Sequence, residues 1–67
     1  MSSVTSPENL RYSVEIGRDD QHLEEVVARV EDLTTAWAIF DLTIARRPEK
    51  LVLLCQSARI LRRSDRL

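Results

Sequence analysis

Two side chains in this chain have the chemistry to act as a nucleophile, general base or soft metal ligand, and each occurs once: His22 and Cys55. A metal site needs three or four ligands at suitable spacing, and no CxxC, HxxxH or HExxH pattern is present. The simpler reading makes His22 a loop histidine and Cys55 a buried thiol that behaves as a small hydrophobe. Asp19, Asp20, Glu24 and Glu25 gather four carboxylates within seven residues. They could bind a hard cation or support acid/base chemistry, but the EF-hand spacing is missing and an acidic, solvated turn accounts for them. With the histidine in an expected loop and no oxyanion-hole glycines nearby, a catalytic triad has no footing. No catalytic residue, cofactor or metal is therefore assigned, and the chain reads as a non-enzyme.

The basic side chains form the other group that could act together. Arg46, Arg47, Lys50, Arg59, Arg62 and Arg63, with Arg66 beyond them, supply the one plausible nucleic-acid surface. Without interleaved aromatics such a surface binds phosphate non-specifically and in a salt-sensitive way. The charge is also unevenly spread. Residues 1–33 carry eight acids and three bases, net −5, and residues 34–67 carry three acids and seven bases, net +4, which sum to −1. The simpler reading sets an acidic hairpin beside a basic C-terminal strand so that they neutralise one another. The sharper ones are head-to-tail pairing of two chains or a basic face for nucleic acid. The simpler reading is preferred, because no Lys/Arg run exceeds two and the pI of about 5.7 lies below neutral.

The elements that must position these residues centre on residues 32–47. Asp32 suits the N-cap, since its carboxylate can accept from backbone N–H groups two and three residues on. Arg46 and Arg47 place cations in the last turn, and Pro48 removes Arg47 from the helical region. Leu33, Ala36, Phe40 and Ile44, with Ile39 and Thr43 beside them, make one helix face apolar. Trp37 and Leu42 fall toward its flanks or back, where they could form a patch for a partner.

Around that helix the pattern changes to a period of two. Residues 10–16 alternate Leu10, Tyr12, Val14 and Ile16 with polar residues, as a half-buried strand does. Residues 17–22, with the only glycine, suit a hairpin loop. Residues 23–30 admit two readings. As a strand they put Val26, Ala28 and Val30 inward and Val27 and Arg29 outward; as a helix over 20–31 they would continue into the next. The stiff Val26-Val27 pair favours the strand. Residues 50–55 form a short run apolar on both faces, and 58–63 resume alternation with Ala58 and Ile60 inward and Arg59, Leu61 and Arg63 outward. Residues 1–9 are expected to be a flexible tail and 64–67 a fraying end.

The fold expected is thus α+β, ββαββ, a small antiparallel sheet covered by one helix in a single domain spanning 1–67. So short a chain buries a thin core, which favours association, and two hairpins joined by one helix favour an intertwined, domain-swapped homodimer. Trp37, Leu42, Leu53 and Leu61 are the apolar positions expected at its partner surface. With a single cysteine there is no internal disulfide, and no apolar run approaches the roughly 20 residues of a membrane span, so the expected setting is the cytoplasm. The function expected is a non-enzymatic homodimeric interaction or structural module with no identifiable small-molecule substrate. The alternative uses the helical reading of 20–31: a strand followed by two helices has the order of a ribbon-helix-helix dimer, in which Arg11, Ser13 and Glu15 would face DNA bases.

Ala36, Phe40, Asp41, Ala45, Arg46, Arg47 and Pro48 spell A-x-x-x-F-D-x-x-x-A-R-R-P, and Gln56, Ala58, Arg59, Ile60 and Ser64 follow. In these residues the chain resembles a group of short bacterial proteins of unknown function with a ββαββ pattern, over about residues 11–64. Where members of that group usually have Gly, this chain has Glu49. The resemblance implies the architecture and a bacterial source, and no chemistry.

Overall fold

The computed structural model describes residues 12–19 and 21–66. The tail expected at 1–9 lies outside these. Four strands and one helix follow in the order β1 (Tyr12–Asp19), β2 (His22–Val30), α1 (Leu33–Arg46), β3 (Leu51–Gln56) and β4 (Arg59–Arg63), the last running into a 3₁₀ turn at Ser64–Arg66. That turn stands where a fraying end was expected. The sheet is antiparallel throughout with spatial order β2-β1-β3-β4, so the two hairpins meet along β1 and β3. The α+β class and the ββαββ order are as the sequence implies. No described helix is long and apolar enough to cross a membrane.

Residues 22–30 are strand, and the helix over 20–31 that a ribbon-helix-helix arrangement requires does not form. Stiff Val26 and Val27 lie here, and the strand pairs with the firmly alternating β1. The pairing is irregular. Val14 faces Ala28 while Glu15 faces Val26, so Val27 is an extra residue, and Glu24 is a second one between the Ile16–Glu25 and Gly17–Leu23 pairs. Each such bulge shifts the alternation. Val26 was expected inward with Ala28 and Val30; the bulge instead sets it across from Glu15, on the face away from the helix.

Gly17 was expected in the hairpin loop and lies inside β1. Its φ is not positive, so turn geometry is not what glycine supplies. A methyl group there would stand 2.6 Å from the His22 carbonyl oxygen and 2.8 Å from Leu23 Cα, so glycine admits the close approach of β2 at its bulge.

The helix begins as its residues dictate. Asp32 is extended, and its Oδ2 accepts from the Thr35 N–H at 2.7 Å and from the Thr35 hydroxyl at 2.8 Å. At the other end the Arg47 N–H reaches the Thr43 carbonyl at 2.8 Å before Pro48 ends the run. Ala36 and Phe40 pack fully buried on Val14, Ile16, Val52 and Leu54, with Tyr12, Val30, Trp37, Ile39, Ile44 and Leu61 around them. Thr43 is buried too, its hydroxyl donating to the Ile39 carbonyl at 2.7 Å. Leu33, expected on this stripe, is exposed at the first position of the helix.

On β4 the expected facing is reversed for Ile60 and Leu61, while Arg63 lies on the face away from the helix as expected. A bulge opposite Leu54 leaves Leu61 half-buried against the core while Ile60 pairs with Cys55 on the other face and stays exposed. Where β4 ends, the Val52 N–H donates to the Ser64 hydroxyl at 2.9 Å.

Candidate functional site

The side chains with reactive chemistry are kept apart. His22 Nδ1 lies 2.7 Å from Asp19 Oδ1 at the exposed β1–β2 turn. That hydrogen bond, then one from the Gln21 N–H, holds the Asp19 carboxyl below its ordinary value. The pair locks a turn, as an Asx residue does. Glu24 accepts from Lys50 Nζ at 2.7 Å, across the width of β1. Among the described residues no three His, Cys, Asp or Glu side chains converge as metal ligands would. Cys55 is buried on β3, where desolvation first and the charge of Glu15 second push its thiol up to about 11 against a hydrogen bond with Ser13. A thiol so neutral is a poor nucleophile.

Nor do the six basic residues form one surface. Arg46 and Arg47 flank a shallow groove of about 310 Å³ between α1 and β2, floored by Ile16, Val27, Ile39 and Leu42. Arg59, Arg62 and Arg63 line β4, the opposite edge of the sheet. Most of these charges are engaged. Arg47 Nε donates to Glu49 at 3.3 Å, Lys50 meets Glu24, and Arg63 makes two 3.0 Å bonds to the Asp65 carboxylate. The Arg62 guanidinium sits 5.5 Å over the Trp37 ring, which in turn meets Phe40 edge-on at 5.6 Å.

Of the apolar positions expected at a partner surface, Leu42 is exposed, at 51%. Trp37 and Leu61 pack on the core beneath the helix, and Leu53 is 1% exposed. Leu53 nonetheless belongs to a second apolar cluster, with Leu51 and Cys55, on the face of the sheet away from α1; no helix residue joins it. The register lays three rows across that face. Arg29, Ser13, Cys55 and Ile60 form one, Val26, Glu15, Leu53 and Arg63 the next, and Leu23, Gly17 and Leu51 the third. Leu23, Val26 and Ile60 are 45%, 41% and 42% exposed at its margins, and Glu15 accepts from the Ser13 hydroxyl at 2.8 Å in its centre.

This face carries a second buried apolar cluster that the helix does not cover. Comparison with family models, curated proteins and solved structures finds no match for the chain. Leu23, Val26 and Ile60 were missed in the sequence, although the doublets Val26-Val27 and Ile60-Leu61 carry the signal. Two adjacent apolar residues break a period of two, and a bulge then sends one to each side or both to one.

Proposed function

We propose that this protein is a non-enzymatic interaction module that works as a homodimer. The observation that carries the reading is the second apolar cluster, Leu51, Leu53 and Cys55, bordered by exposed Leu23, Val26 and Ile60 on the sheet face that the helix leaves free. One helix can cover one side of a four-stranded sheet, and an antiparallel sheet whose other side is solvated alternates apolar with polar residues. Here β3 is apolar on both sides. A chain this short also gains stability by mass action when a second copy covers what its own core leaves out. Exchange of the C-terminal hairpin between copies keeps every β1–β3 pair and the same free face, so the swapped form is a variant of this reading. The ribbon-helix-helix alternative loses its support with the strand conformation of β2. Sedimentation velocity or light scattering of the whole chain at about 10–100 µM tests the proposal, since interfaces of this small size hold at micromolar strength. A dimer mass is expected; a monomer throughout that range refutes it.

A further inference from the structure

The strand order keeps acidic β2 and basic β4 on opposite edges of the sheet, so the side-by-side neutralisation expected for them does not occur. What replaces it can be followed at the groove between α1 and β2. Of the two adjacent acids on β2, Glu24 is held by Lys50 at 2.7 Å, whereas Glu25, paired with Ile16 and so turned to the α1 side, has no partner among the described residues. On the opposite wall Arg47 is engaged by Glu49 at 3.3 Å and Arg46 has no partner among the described residues. Arg46, Arg47, Glu25 and Glu49 sum to zero, so the groove favours neither an anion nor a cation as a whole. It holds one unpaired base and one unpaired acid that line the same space without bonding to each other.

The apolar part of the groove is built by the bulge in β2. Strict alternation would turn one of two neighbouring residues away from the helix, but the bulge turns both Val27 and Ala28 toward it. Val27 then stands across from Leu42, and the single chain buries neither: they are 39% and 51% exposed. Since β2 is an edge strand, the groove is open to the side.

We infer that this groove binds a free aliphatic α-amino acid of the leucine type, with its carboxylate on Arg46, its ammonium on Glu25 and its side chain between Val27 and Leu42. A neutral site with one unpaired charge of each sign matches a neutral ligand that carries both. In an α-amino acid the two charged groups share one carbon, and a charge-assisted bond of about 2.8 Å at each lets the ligand bridge walls too far apart to pair directly. A peptide end carries only one of the two charges and leaves the other wall unpaired. The volume of about 310 Å³ lies at the lower bound of small-molecule sites, about 300 Å³, which suits so small a body. The second copy of the homodimer reading is assigned to the other side of the sheet, so this site does not depend on it.

Heteronuclear NMR of the isotope-labelled chain, with leucine added to about 20 mM, tests the site, because a ligand with so few atoms saturates in the millimolar range. Saturable shifts are expected at residues 25–28 and 39–47, the walls of the groove. Isocaproate, which lacks the ammonium, and isoamylamine, which lacks the carboxylate, should each bind about 5-fold more weakly, the scale of one exposed ion pair; alanine should not saturate. Arg46→Gln should abolish the difference between leucine and isoamylamine, and Glu25→Gln that between leucine and isocaproate. Leu42→Asp, at an exposed position, should abolish binding with unchanged far-UV circular dichroism. If that variant loses structure, the one-charge analogues on the parent chain still decide the matter. No saturable shift, or leucine no tighter than its one-charge analogues, overturns the site. N-acetyl-leucine or leucinamide binding as tightly as leucine assigns the groove to a peptide end instead, and groove shifts that follow protein concentration without ligand assign it to a second copy; either result overturns the proposal. Sedimentation reads the dimer separately, so each reading can fail while the other stands.

Discussion

Replacing Gly17 by alanine separates two expectations of opposite sign. Where a glycine adopts an ordinary φ, as this one does, alanine normally stabilises by about 0.4–1 kcal/mol through the unfolded chain. Here the added Cβ meets two backbone atoms of β2, the His22 carbonyl oxygen at 2.6 Å and Leu23 Cα at 2.8 Å, with Leu23 Cδ2 at 3.1 Å. Ordinary contacts of these kinds lie at about 3.4–4.0 Å, so the strands must part by roughly 0.6–1 Å. Neither obstacle is a flexible side-chain end, and both belong to a ladder held by β1 and its bulge. Overpacking of this kind costs about 1–3 kcal/mol. The net effect is a destabilisation of about 1–2 kcal/mol, which in a domain of this size lowers Tm by roughly 4–16 °C. Thermal unfolding followed by far-UV circular dichroism, at equal protein concentration because self-association raises Tm, measures it. A Tm equal to or above that of the parent chain would refute the reasoning and with it the register that sets Gly17 against Leu23.

Asp32→Ala removes the acceptor for both Thr35 bonds and should lower Tm at neutral pH. Because those bonds, the backbone one first, lower the Asp32 pKa, the difference should be full above 3.8 and vanish as pH falls through the lower folded value; a pH-independent difference contradicts the cap. Cys55, with its thiol raised from 9.0 to about 11, should react with iodoacetamide at pH 8 about 100-fold more slowly than in the urea-unfolded chain, and a rate within a few-fold of the unfolded one would place it in solvent. Arg62→Ala should cost about 0.5–1 kcal/mol and alter the emission of the single tryptophan, as loss of a cation from the Trp37 face requires; unchanged emission would remove that contact.

What could be read in the chain follows how local each signal is. The helix was legible at both ends because Asp32 and Pro48 act on their own neighbours. So were β1, through its strict alternation, and β3, whose two apolar faces announced cover on both sides. The faces of β2 and β4 were not, since a bulge is a property of two strands: Val27 is extra only because Glu15 pairs with Val26, and Leu61 only because Leu54 pairs with Arg62. Gly17 misled for the same reason. Its role concerns the approach of another strand rather than its own dihedrals. Charge was visible in amount but not in placement, because whether acidic and basic segments adjoin depends on strand order, and that order is fixed only when β3 inserts beside β1.

The seam between the hairpins also sets the tempo of folding. The Gly17–Leu51 pair closes a ring of 33 intervening residues, 18 to 50. Closing such a ring costs about 3 kcal/mol of chain entropy before any contact across it forms, whereas each hairpin turn is short. Either hairpin alone leaves one apolar side uncovered until β1 and β3 pair. Nicking the backbone between Arg47 and Lys50 would turn that late step into a bimolecular one, and the two pieces would recover structure only when mixed.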